Sequence, residues 1–162
     1  RDLPAVERFI AASFWAEYFC ERIASRHYSD ADLTIFEANA TTLRSFLASF
    51  SQEKAAYRYH ARLLDLWQQA IQTVGHAADL IGRTLGEFHG ERGNNHLTAF
   101  RQSLANPTWA AIIDESRPIL DQMYQSKGVW NVDSLVPVVR KMFHAIGMFP
   151  RVEGTGIRID VP

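Results

Sequence analysis

One long amphipathic stretch, residues 57–89, limits what this chain can fold into. On a helical wheel at ~100° per residue, its apolar side chains fall on one side and most of its charged and amide side chains on the other. This pattern predicts one helix, or two in succession, packed through the apolar face. The apolar face comprises Tyr59, His60, Leu63, Leu64, Trp67, Ala70, Ile71, Val74, Ala78, Ile81, Leu85, Phe88 and His89.

Two histidines belong to the apolar face, His60 near its start and His89 at its end. A buried imidazole needs a hydrogen-bond partner or a metal ion, and a bond to a nearby carbonyl or hydroxyl is the simpler interpretation of each. Gly75, Gly82 and Gly86 interrupt the pattern, and each lowers helix stability by ~1 kcal/mol relative to alanine. A break near Gly75 predicts two helices that oppose their imidazoles across a slot.

Three motifs in this region resemble the globin family, and they occur in the family's order. The run Leu85-Gly-Glu-Phe-His89 resembles the end of the proximal helix, and His60-Ala-Arg-Leu-Leu64 resembles the distal helix. Residues 36–46 are similar to the segment that leads to the phenylalanine stacked on the haem. The nematode-type nerve globins are the subgroup that the chain resembles most.

This resemblance implies an all-α globin fold, with about six to eight helices around a molecule of haem b. It makes His89 the proximal iron ligand and His60 the distal residue. It also places Phe46, Leu64 and Leu85 against the haem.

The chain departs from the family pattern upstream of His60. Ala40 stands where most globins have proline, so Phe50 is an alternative to Phe46 as the stacking residue. The short spacing from Phe46 to His60 indicates that a small intervening helix is missing. We therefore expect the distal helix to lie close to the haem.

The resemblance implies reversible binding of a diatomic gas, such as oxygen, CO or NO. Because the inward neighbours of His60 are Leu63, Leu64 and Trp67, we expect His60 and His89 both to bind iron in a six-coordinate resting state. An apolar distal pocket favours gas or redox sensing, or electron transfer, over oxygen storage. We expect no enzyme, because no acid, base and nucleophile are grouped. The alternative function is a haem-free, all-helical protein interaction module.

Composition limits the remaining possibilities. With 162 residues, of which 47% are hydrophobic, the chain can build one domain with a sizeable core, so we expect a single domain over residues 1–162. The net charge of -1 gives no support to a nucleic-acid surface. A single cysteine, no apolar run long enough to span a membrane and no signal peptide pattern predict a cytoplasmic protein. Residues 149–162 form a predicted non-helical tail, extended at 157–161, that could lead to a further region.

The first predicted helix has aromatic side chains on two faces. After Asp2 and Pro4, which mark its start, the predicted core stripe comprises Phe9, Ala12, Ala16, Phe19, Cys20 and Ile23. Phe14, Trp15 and Tyr18 fall on the other side. Two interpretations of those three are open: another segment of the same chain covers them, or they bind a partner protein or a second copy.

Capping residues predict where the other helices begin. Ser29 or Asp30 starts the second helix, and Ser51 starts the long amphipathic stretch. Asn106-Pro107 begins another helix that continues through Pro118, and Asp133 or Ser134 begins the last.

Overall fold

The computed structural model describes residues 2–28, 35–89, 93–126 and 130–162. These ranges are mostly helical, which confirms the predicted all-α class. They contain six α-helices: α1 (Leu3–Ala24), α2 (Ile35–His60), α3 (Leu63–Glu87), α4 (Gly93–Leu104), α5 (Pro107–Gln125) and α6 (Val136–Ala145). Two antiparallel strands, β1 (Phe149–Glu153) and β2 (Gly156–Asp160), form a hairpin in the predicted tail.

Two predicted helix starts are confirmed by their capping bonds. The Asp2 carboxylate accepts a hydrogen bond from the Ala5 amide at 2.9 Å, and Pro4 lies in the first turn of α1. The Asn106 side chain accepts one from the Thr108 amide at 3.0 Å, directly before α5. The last helical segment begins with a 3₁₀ turn at Val132–Leu135, which is capped by Asn131 rather than by the predicted Asp133 or Ser134, and continues directly as α6. The predicted caps Ser29 and Asp30 lie outside the described residues.

The break between the two long central helices lies at Ala61 and Arg62. Ala61 has a φ of 53°, a left-handed conformation that ends α2 and reverses the chain. The predicted start at Ser51 is therefore wrong, because Ser51 lies inside α2 and its hydroxyl donates to the Leu47 carbonyl at 2.9 Å. The predicted break near Gly75 is also wrong, since α3 runs without interruption from Leu63 to Glu87.

Two of the α3 glycines allow a close approach to α1. A Cβ atom on Gly82 would lie 2.7 Å from the Phe14 carbonyl oxygen, and one on Gly86 would lie 2.5 Å from the Tyr18 carbonyl oxygen. Both distances are too short for any residue larger than glycine unless the backbone moves. The two contacts advance together along both helices, so α1 and α3 are parallel. Among the described residues, no neighbour lies within 4 Å of a Cβ built on Gly75.

The close contact buries the face of α1 that sequence periodicity assigned to the outside. Phe14, Trp15 and Tyr18 are buried, and the Tyr18 hydroxyl donates to Asp121 of α5 at 2.7 Å. The Trp15 ring lies 5.7 Å from the ring of Trp130. Of the two interpretations left open for these three residues, the burial supports the first, in which other segments of the same chain cover them. The predicted core stripe of α1 is exposed instead, apart from the half-buried Phe19.

Polar contacts attach α6 and α2 to this pair. The Arg140 guanidinium of α6 donates two hydrogen bonds to the buried Glu7 carboxylate of α1, at 2.9 and 2.8 Å. The Asn39 amide of α2 donates to the Thr84 hydroxyl of α3 at 3.1 Å. Because α2 and α3 are joined by a tight reversal, they pack antiparallel.

None of the helices in the described ranges has both the length and the apolar composition needed to span a bilayer.

The glycine contacts predict that alanine lowers the stability of the fold at two positions of α3 and raises it at a third. Gly82→Ala and Gly86→Ala should each lower the free energy of unfolding by ~1–3 kcal/mol, because the new methyl group meets the α1 backbone. Gly75→Ala is the matched control, and it should raise that free energy by up to ~1 kcal/mol through helix propensity alone. Urea unfolding followed by circular dichroism measures all three. Equal effects at the three positions would contradict the close contact.

Candidate functional site

The two histidines predicted to bind iron lie near opposite ends of α3. His60 is the exposed last residue of α2, and its Nδ1 accepts a hydrogen bond from the Arg62 amide at 3.0 Å. His89 follows the end of α3, is half-buried, and its Nδ1 lies 2.8 Å from the Gly86 carbonyl oxygen. With a rise of ~1.5 Å per residue, α3 separates them by on the order of 30 Å. One iron cannot bind both imidazoles in this arrangement.

The other predicted haem contacts are also dispersed. Phe46 is half-buried on α2 and stacks on the His76 ring at 4.6 Å, while its alternative, Phe50, is in the core. Leu85 is buried in the core on α3, whereas Leu64 is 67% exposed in the first turn of α3. The structure does not bring these residues together around one pocket.

The cavities beside two of these residues are small. Phe46 lines one of about 160 Å³ and His60 another of about 190 Å³. Ligand sites commonly have volumes of ~300–1,000 Å³. As arranged here, the predicted residues do not fit a haem.

A larger opening lies where the hairpin crosses the starts of α1 and α3. This opening, the hairpin cleft, has a volume of about 890 Å³. Leu63, Leu64 and Trp67 of α3 form one wall, and Leu3 of α1 contributes to the floor. Val152, Ile157 and Ile159 of the hairpin form the opposite wall. Among the described residues, the lining contains one charged side chain, that of Asp2, which already caps α1.

The alternation of the hairpin sequence produces the apolar wall. Side chains that are directly opposite in an antiparallel pair share a face, so Val152 with Ile157 and Pro150 with Ile159 form one face. The other face carries charges, with Arg151 pairing to Asp160 at 3.3 Å. The apolar face is turned toward the helices at Pro150, which is buried, but Val152 near the tip is 58% exposed. The cleft thus stays open at its outer end.

Three residues of the cleft, Leu63, Leu64 and Trp67, were predicted from periodicity to share one apolar face, but Leu64 was expected to contact a haem rather than a hairpin. The predicted extended segment at 157–161 was the second available signal. What the sequence could not indicate is that this segment folds back as a hairpin over the start of α3. The cleft therefore depends on a long-range contact that no local pattern encodes.

A buried carboxylate lies at the other end of α3. On the helical wheel Glu87 falls opposite the apolar face, where an exposed side chain is expected, yet every residue from Thr84 to Phe88 is buried and Glu87 is 6% exposed. Within the part of the chain that the structure describes, its Oε1 has no hydrogen-bond partner. Burial, and secondly the charge of Glu21, raise the pKa of Glu87 to about 7.

No metal-binding cluster accompanies these features in residues 2–28, 35–89, 93–126 and 130–162, where no three His, Cys, Asp or Glu side chains are grouped to hold an ion. Comparison of the chain with protein-family models, with curated proteins and with solved structures finds no match.

The pKa of Glu87 predicts a loss of stability as the pH rises. Because this pKa is about 7 in the folded chain against an ordinary value of 4.5, ionisation opposes folding, and stability present below pH 4.5 is lost as the pH rises through 7. Glu87→Gln removes that loss, so at pH 8 it should raise the free energy of unfolding by ~1–3 kcal/mol.

Chemical denaturation at pH 5 and pH 8 measures the effect. The control is Glu53→Gln, at an exposed position of α2. It should follow the wild-type pH profile. A Glu87→Gln profile that parallels the wild type would contradict an elevated pKa.

Proposed function

We propose that this chain is a haem-free helical module that binds another protein through the hairpin cleft. The observation that supports this proposal is the exposure of apolar side chains on both walls of one concave surface. Leu64 and Val152 are each more than half exposed, although both belong to apolar walls. Contiguous exposed apolar surface of this kind marks interaction sites in folded proteins.

The chemistry of the lining selects the kind of partner. Among the described lining residues, the only charged side chain is that of Asp2, an anion that caps α1, so these residues offer no positive charge to a phosphate, a nucleotide or an anionic metabolite. They suit a short peptide or helix that inserts apolar side chains between Leu64 and Val152. Amphipathic helices bind in this way to apolar grooves.

The openness of the cleft favours a protein over a small molecule. Small-molecule sites usually bury ~70–90% of the ligand surface. A compact ligand between side chains as exposed as Leu64 and Val152 remains largely in contact with water. A partner protein can cover the outer end of the cleft and exclude that water.

A haem-binding globin that binds a diatomic gas is the second candidate function, and one observation favours it. The Nδ1 of His89 lies at hydrogen-bond distance from the Gly86 carbonyl. A ligand histidine is commonly held by such a bond at one nitrogen, which leaves Nε2 for the metal. Haem would have to bind without His60, whose placement does not fit the same iron.

Photo-crosslinking tests the proposed partner site. A benzophenone amino acid in place of Leu64, introduced in the cells that produce the protein, should form one adduct of defined mass with another protein. The same amino acid in place of Tyr59, which is 93% exposed but outside the cleft lining, should not form it. Adding Val152→Asp should abolish the adduct, because it places a charge in the apolar wall. Equal adducts from both positions, or none, would contradict the proposal.

Haem titration separates the two candidates. Under the module proposal, the purified chain mixed with haemin gives no saturable one-to-one Soret band. Under the globin candidate, such a band forms and His89→Ala removes it. The control, His144→Ala, alters an exposed histidine of α6 and should leave the spectrum unchanged. A one-to-one complex that depends on His89 would overturn the haem-free assignment.

A further inference from the structure

A second apolar surface runs along the outside of α1, away from the hairpin cleft. It consists of Phe9, Ala12, Ala16, Cys20 and Ile23, here called the outer stripe, and all five residues are exposed. Phe9 is 66% exposed and Ile23 is 40% exposed. Sequence periodicity assigned these residues to a core because they recur at helical spacing. Within this chain, α3 instead covers the opposite face of α1.

The outer stripe has a two-fold symmetric pattern. Its residues are placed symmetrically about Ala16, with steps of three, four, four and three residues. Large side chains lie at the two ends and small ones in the middle. If a second α1 lies antiparallel across it, Ala16 faces Ala16, Ala12 faces Cys20, and Phe9 faces Ile23. A two-fold interface uses the same patch on both subunits, and this pattern matches that requirement.

The symmetry also favours one orientation. In a parallel pair every residue faces its own copy, so any pattern is self-matched and symmetry about Ala16 is not needed. An antiparallel pair needs symmetry about Ala16, because with that symmetry small residues face small ones and large residues face large ones. Opposed helix dipoles also favour the antiparallel arrangement.

The size of the stripe is compatible with a weak dimer. Helix α1 has 22 residues and is ~33 Å long. Paired along that length at the 8–10 Å axis separation of packed helices, two copies bury on the order of 1,000 Å² of accessible surface. That area belongs to weak or transient interfaces. We infer that the outer stripes of two copies of this chain pair antiparallel, forming a two-fold dimer that depends on protein concentration.

A dimer through the outer stripe does not require a partner in the hairpin cleft. The stripe and the cleft are lined by different residues, so a dimer through α1 leaves Leu64 and Val152 accessible. The two proposals can therefore fail separately.

Cysteine crosslinking tests the pairing and its orientation. In a Cys20→Ser background, Ala16→Cys places two thiols on the two-fold axis and should give a disulfide-linked dimer under mild oxidation. Wild-type Cys20 should not crosslink, because antiparallel pairing separates the two copies by ~12 Å along the helix. A Gln68→Cys control, on the exposed face of α3, should stay monomeric.

Sedimentation equilibrium gives an independent readout. The wild type should shift from monomer to dimer as its concentration increases toward ~1 mM. Phe9→Asp should remain monomeric and folded, since Phe9 is largely exposed. A wild type that stays monomeric over that range, or efficient crosslinking through Cys20 itself, would overturn the antiparallel dimer.

Discussion

The backbone contact between α1 and α3 at Gly82 and Gly86 is the constraint on which the rest of this structure depends. It sets α1 parallel to α3 at a separation that no side chain at those positions would permit. Ion pairs and hydrogen bonds extend the contact on its outer side, with Arg83 donating to Glu17 at 2.6 Å and Ser13 to Asp79 at 2.7 Å. Because the distance and the rotation of α1 are both set there, the contact decides which face of α1 is buried.

The orientation of α1 against α3 also determines which apolar surfaces are exposed. With Phe14 and Tyr18 against α3 and α5, none of the segments that the structure describes covers the outer stripe of α1. An unbroken α3 carries Leu63 and Leu64 out to the end where the hairpin crosses, and this produces the cleft. The same straight helix keeps His60 and His89 apart. The placement of one helix pair thus accounts for the cleft, the stripe and the dispersal of the predicted haem contacts.

Helix caps and apolar periodicity could be predicted from the sequence, because both depend on residues that are close together in the chain. Asp2 and Asn106 cap the helices that they were expected to cap, and the apolar face of α3 from Trp67 to Leu85 is buried as periodicity predicts, with only Ile71 half-buried. Glycine was ambiguous, because the residue that weakens a helix is also the residue that lets two helices touch. Gly82 and Gly86 have the second role, which is visible only with α1 in place. The first helix has two apolar faces, and its periodicity alone cannot choose between them.

The distance between residues 60 and 89 tests this account most directly, because it reports whether α3 is one straight helix between them. In a Cys20→Ser chain, the substitutions His60→Cys and His89→Cys provide two sites for spin labels. Pulsed electron paramagnetic resonance then measures the distance between the labels in solution. An uninterrupted α3 predicts a narrow distribution of distances at roughly 30 Å or more, as set by the helical rise. A separation of roughly 15 Å or less, as two imidazoles with ~2 Å bonds to one metal require, would contradict it.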